Sequence, residues 1–159
     1  MRKSMRQTGF TLVETLVVVA IMSTLSLIAI PYFYSWSSSL EYKEAAWGIL
    51  SDMRLGKQMA LSSNLEHRVE FDIDGKRFRI ARGNLSSGST SWTSVKPWSD
   101  IKESVNWASG ASCDGTADLN ARFKPNGSSD SVVICIKNAD NAVKHRVNLS
   151  SSSGRAYIN

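Results

Sequence analysis

The sequence predicts an α+β fold, in which one long amino-terminal α-helix packs on a carboxy-terminal antiparallel β-sheet domain. Three observations lead there. An uninterrupted apolar run fills residues 10–30, and an apolar stripe at helical spacing follows it. From His67 onward the hydrophobic period changes to two.

The first run, FTLVETLVVVAIMSTLSLIAI, holds one charge, Glu14, and is followed directly by Pro31. A helix rising about 1.5 Å per residue spans roughly 30 Å over this length, the thickness of a bilayer's hydrocarbon core. Its Ser and Thr hydroxyls can bond back to the helix's own carbonyls. Arg2, Lys3 and Arg6 precede it with no acidic residue among them, which keeps the amino terminus cytoplasmic and exports the chain after Pro31. A secretory signal has a shorter apolar core and a small-residue cleavage site behind it. Here LIAIPYF lacks that site, and the small residue, Gly9, stands in front of the run. The stretch reads as a membrane helix.

Glu14 has two readings. A carboxylate at membrane depth costs on the order of 3 kcal/mol and usually faces a protein partner. Alternatively, being about one turn from the helix start, it snorkels to the interface. Cleavage after Gly9 would create a positive amine at Phe10, four residues away, which a neighbouring subunit's Glu14 could neutralise in a low-dielectric bundle. The pattern suggests assembly rather than catalysis.

The helix is expected to continue from Tyr32 to Asn64. Ala46, Ile49, Leu50, Met53, Gly56, Ala60 and Leu61 recur at three- and four-residue steps and form one stripe that suits packing on a sheet. Glu41, Lys43, Glu44, Asp52, Arg54 and Lys57 fall mainly on the remaining surface. Ser35–Ser39 is a poorer helix former and a candidate junction. Tyr32, Tyr34 and Trp36 fit an aromatic belt at the membrane exit. The expected organisation is a leader at 1–9, a membrane helix at 10–31, an amphipathic helix at 32–64 and a β domain at 65–159.

Val69, Phe71 and Ile73 alternate with charged residues, Asp74-Gly75 marks a hairpin, and Phe78 and Ile80 return. Arg77 and Arg79 share the opposite face of that second strand. Their cluster admits a phosphate-binding reading, but a solvated, edge-protecting strand face balanced by Glu70 and Asp72 is preferred. The polar stretch NLSSGSTSWTSVKPWSD reads as a long surface loop. Its Trp92 and Trp98 either offer a contact patch or fold back over the sheet edge. Further strands are expected at Val105–Trp107, Leu119–Phe123, Val132–Ile136, Val143–Leu149 and Arg155–Ile158, with turns at Pro125–Gly127 and 138–141.

Cys113 and Cys135 are the only cysteines, and an even pair in an exported domain reads as a disulfide rather than a metal site. Closing that loop is worth roughly 3 kcal/mol in the chain-entropy model. No catalytic constellation emerges: His67 and His145 lie apart in strand patterns, and no nucleophile elbow or phosphate loop is present. Asp114, Asp118 and Asn120 do not match an EF-hand spacing. No metal, cofactor or enzymatic activity is expected. The net charge of +5 is largely a leader effect, since without Arg2, Lys3 and Arg6 the chain carries 16 basic and 14 acidic residues.

RQTGFTLVETLVVVAIMSTLSLIAIPYF resembles the amino-terminal signature of type IV pilins and type II secretion pseudopilins. The resemblance implies cleavage between Gly9 and Phe10 by a prepilin peptidase, N-methylation of Phe10, fibre docking guided by Glu14, and a kink at Pro31. ARFKPNGSSDSVVICIKN, followed by VNLSSSSGRAYIN, resembles the end of the GspH/FimT family, with Phe123, Pro125, Gly127, Gly154 and Arg155 at the matching positions. That family implies a sparse minor subunit near the tip of a pilus or secretion pseudopilus. Its partners would be other minor and major pilins or pseudopilins. Its location would be the bacterial inner membrane, single-pass with a periplasmic domain, and then the fibre tip. Some FimT-type members bind DNA through a terminal Gly-Arg-x-Arg tail. Here Tyr157 replaces the second arginine, although Lys144, Arg146 and Arg155 could still meet phosphates or a partner.

Overall fold

The computed structural model describes residues 10–159; the leader and Gly9 lie outside the described residues. Helix α1 (Leu12–Ser63) is followed by nine strands: β1 (His67–Asp72), β2 (Arg77–Gly83), β3 (Trp92–Ser94), β4 (Ser99–Asp100), β5 (Asn106–Ser109), β6 (Leu119–Phe123), β7 (Val132–Lys137), β8 (Val143–Leu149) and β9 (Ala156–Ile158). The chain divides into two compact units, one ending at Ser39 and the other running from Leu40 to Asn159.

Over residues 10–34 the helical segment is predominantly apolar, with Glu14 its one charge, and every residue is exposed. Leu12, Val17, Ile21, Leu25 and Ile28 are all more than half exposed. The hydroxyls of Thr15, Ser23, Thr24 and Ser26 bond to carbonyls three or four residues back, as expected of polar groups that must satisfy themselves in an apolar helix. The helix passes through residues 35–39 and through Pro31 without interruption. Pro31 has no N–H, so the Leu27 carbonyl loses its in-helix donor.

The second unit is built on two antiparallel sheets, where the sequence suggested one β domain without resolving its division. One sheet runs β3-β2-β1-β6, with β4 also paired to β2; the other runs β5-β7-β8-β9. Period-two alternation sets the registers. Val69 faces Ile80 and Phe71 faces Phe78 across β1–β2, and all four are buried. The connection at 73–76 is closed by the Asp72 carboxylate, which accepts the Gly75 N–H at 2.7 Å. The left-handed residue of this turn is Lys76 (φ 49°), not Gly75.

Ala46, Ile49, Leu50, Met53 and Ala60 of α1 join residues of both sheets in one core. Gly56 lets the helix backbone approach closely: a Cβ there would lie 3.4 Å from the Phe123 ring and 3.5 Å from Val69. Phe71 and Trp107 meet edge-on at 5.9 Å, and the Trp107 indole N–H donates to the Ile73 carbonyl at 2.8 Å. Leu61, assigned to the stripe by spacing, is instead 52 % exposed. It sits beyond the last buried helix residue, Ala60, where the helix nears its end at Ser63. Asp52, assigned to the surface, is buried and held by Lys96 at 2.7 Å. Lys96 arrives from the loop 44 residues away, a partner that local periodicity cannot reveal.

Cys113 and Cys135 form a disulfide with Cα atoms 5.6 Å apart. It ties the turn after β5 to the middle of β7. The same turn is held by Gly110, whose N–H donates to the Val133 carbonyl at 3.0 Å.

Candidate functional site

Three places carry the residues singled out by the sequence: the start of α1, the outer face of the first sheet, and the end of the chain. Helix α1 begins after Thr11, whose hydroxyl accepts the Glu14 N–H at 3.3 Å and whose carbonyl accepts the Thr15 N–H at 3.2 Å. Thr11 is thus the N-cap and Glu14 the third helical residue. A carboxylate there meets the positive end of the helix dipole. The T-x-x-E spacing was the available signal for this cap. Phe10 lies just outside the helix and is fully accessible. Tyr32, Phe33, Tyr34 and Trp36 are exposed further along, with the Phe33 and Trp36 rings 5.9 Å apart.

On the first sheet, Arg79 stands opposite Glu70 and Arg77 opposite Asp72. Arg68 also donates to Glu70, at 2.7 Å. The guanidinium of Arg68 lies over the Trp92 ring at 4.2 Å, while those of Arg77 and Arg79 lie over Trp98 at 4.7 and 4.3 Å. The segment read as a loop therefore contains β3 and β4, and both tryptophans fold back over the sheet. The three arginines are committed to two carboxylates and two rings, which leaves little of their charge for a phosphate.

Burial pushes the Glu70 carboxyl up, but hydrogen bonds from Arg79 and Arg68 outweigh it and hold the pKa below the ordinary glutamate value. Asp72 is lowered too, first by the Gly75 N–H and then by Arg77. A depressed folded-state pKa gives stability that is complete above the unfolded value, about 4.3 for glutamate, and is lost as pH falls through the folded value. Urea midpoints of wild type and Glu70→Gln should differ at pH 7 and converge as the pH falls below the ordinary glutamate range. A constant difference across that window would detach Glu70's contribution from its ionisation.

Glu66 was missed by sequence reasoning, because no period or motif marks it. It is fully buried and accepts the Ser89 N–H at 2.7 Å. Its backbone also pairs with Gly83 and Leu85, fixing the root of the segment that carries β3. His67 is buried as well, its Nδ1–H donating to the Leu65 carbonyl at 3.1 Å, and burial lowers its pKa. The pKa of His145, on β8, is also lowered, by burial and then by Lys43. Asp118, weighed as a cation ligand, instead accepts the Ile73 N–H at 2.9 Å.

The chain end brings the second motif together in space. Gly154 (φ 57°) packs so tightly that a Cβ would fall 2.5 Å from the Gly127 carbonyl oxygen. Ser129 donates from its backbone to Ser151 and from its hydroxyl to Ser150. Phe123 is buried in the core, and Arg155 is exposed just before β9. Lys144 and Arg146 are exposed on β8, where the register sets Tyr157 opposite Asn148. Arg77 and Arg79 belong to the other sheet.

The prokaryotic N-terminal methylation motif matches residues 4–30. A search of curated proteins finds no match. Among solved structures, the minor pseudopilin EpsH from the type 2 secretion system of Vibrio cholerae is similar, with a TM-score of 0.59 and 15 % identity over 74 % of this chain and 94 % of that one. Escherichia coli GspH is similar at TM-score 0.56 and 13 % identity, over 76 % of this chain and 89 % of that one. The type IV minor pilin FimU of Pseudomonas aeruginosa gives TM-score 0.55 and 18 % identity, covering 78 % and 92 %. The chain carries the N-terminal methylation motif on a fold shared by minor pseudopilins and a minor pilin.

Proposed function

We propose that this chain is a minor pilin, a structural subunit that helps prime or cap a type IV pilus and docks through its amino-terminal helix. The observation that carries this reading is the helix itself. Residues 10–34 are predominantly apolar and exposed throughout, and the matched methylation motif runs to residue 30 within them. Such a helix requires lipid before assembly and other helices after it. Prepilin peptidase would cut between Gly9 and Phe10, with Phe10 then methylated, and Glu14 would meet the new amine of a neighbour. Pro31 would mark the exit from the membrane. The domain would lie in the periplasm, where its disulfide is stable.

The test is a strain lacking the gene, in which surface pili are counted and exported enzymes assayed. Lost pili with normal secretion is the expected result. Intact pili with blocked secretion would assign the chain to a secretion pseudopilus instead. If both were normal and DNA uptake failed, the exposed cations Lys144, Arg146 and Arg155 would become the primary site.

A further inference from the structure

On one flank of α1, cations from the segments on either side of β4 meet acids of the helix. Lys96 holds Asp52, and Lys102 reaches both Glu41 and Glu44. The opposite flank of the same helix differs. A cleft of about 520 Å³ opens there between α1 and the turn leading into β9, lined by Arg54, Lys57, Gln58, Leu61, Arg155 and Ala156 together with the Ser153–Gly154 backbone. Three cations face it and no acidic residue does. Arg54 and Arg155 form no ion pair among the described residues, and the Lys57 amine donates to the Ser153 carbonyl at 2.7 Å. Along the helix, Arg54 and Gln58 also line a second depression with Trp47 and Leu55, and Trp47 is 59 % exposed.

We propose that this cleft receives an acidic segment of a neighbouring fibre subunit, a partner-specific contact additional to the packing of the apolar helices. The proposal rests on the fibre-subunit reading above. Charge complementarity sets the occupant's sign: three uncompensated cations converge on one concave site. Leu61 in the cleft, and Trp47 and Leu55 in the adjoining depression, offer apolar surface for the flanking part of that segment. Tryptophan and arginine together are also the residues that dominate binding energy at protein interfaces. A nucleic acid fits less well. It gains affinity by tracking many phosphates along a strand of cations, whereas this cleft is short and its wall is closed by the Ser153–Gly154 turn.

The experiment uses the full chain in cells, with a photo-crosslinking amino acid in place of Gln58 and, separately, in place of Val17 on the apolar helix. Adduct peptides are identified by mass spectrometry. The expected Gln58 adduct is a peptide rich in Asp and Glu from another subunit bearing an N-terminal methylation motif. Arg54→Glu with Arg155→Glu should reduce that adduct at least tenfold, and Arg54→Lys with Arg155→Lys should retain it. Lys57 stays unchanged because its amine secures the turn, and unaltered disulfide formation and trypsin resistance would show that the charge-reversed domain still folds. A Gln58 adduct that persists in the Glu variant, or that maps to lipid or nucleic acid, overturns the proposal. Val17 adducts with such a subunit but none at Gln58 overturn the cleft alone. No subunit adduct at either position overturns the fibre reading with it.

Discussion

Replacing Phe123 with alanine should lower the stability of the segment 40–159 by about 3–5 kcal/mol, the range for deleting a buried aromatic ring. Small domains are stable by only about 5–15 kcal/mol, so the variant would stand near the threshold of folding. Phe123 is fully buried, and its ring lies against the helix backbone at Gly56. That contact cannot be refilled by helix side chains, because the facing helix position has none. Leu61→Ala, on the same helix but exposed, should shift stability by no more than about 0.5 kcal/mol. Urea unfolding of the two variants beside wild type measures both. Equal losses would mean that the helix–sheet contact is not organised around Phe123.

The second large effect concerns assembly. Glu14→Ala and Glu14→Gln should both leave cleavage intact, yet reduce the chain's presence in fibres sheared from cells tenfold or more. Two arguments make the charge, rather than the volume, the operative feature. Glu14 is the only ionisable residue between Phe10 and Ile30. A neighbour's amine would meet it where effective dielectric is low and the attraction correspondingly large. Leader cleavage is read by a size shift on denaturing gels, and incorporation by immunoblot of the sheared fraction. Incorporation of the Gln variant at wild-type level would remove the Glu14 charge from the docking step.

Much of this architecture was legible in the sequence, for identifiable reasons. Strands β1 and β2 announce themselves because Val69, Phe71, Phe78 and Ile80 alternate with charged residues and turn to the core. The stripe from Ala46 to Ala60 is legible for the same reason. What local pattern cannot carry is an interaction whose second member comes from far away. Asp52 looks like a surface residue until Lys96 is placed beside it. Glu66 has no signature at all, since its partner is a backbone N–H 23 residues distant. The polar stretch 84–100 concealed β3 and β4 because each is short and gains its order from backbone pairing and from rings laid on arginines. On β8, only Val147 and Leu149 of the four alternating residues are buried, since Val143 lies exposed at the strand's open end. The second motif was visible as a string of residues, but its meaning, two glycine turns pressed together, required three dimensions.

The Lys57–Ser153 hydrogen bond joins residues 96 apart in the chain, and the Gly127–Gly154 approach closes the same region from the other side. Strand β9, the last element, supplies buried Ala156 and one wall of the basic cleft. Contacts of such long separation form late, after the entropy of closing the intervening chain has been met. The apolar helix at the start of the chain is consequently in place long before the cleft exists. Removing residues 155–159 would take away that wall of the cleft while leaving the apolar helix untouched. The cleft thus exists only where residues nearly a hundred positions apart have been brought together.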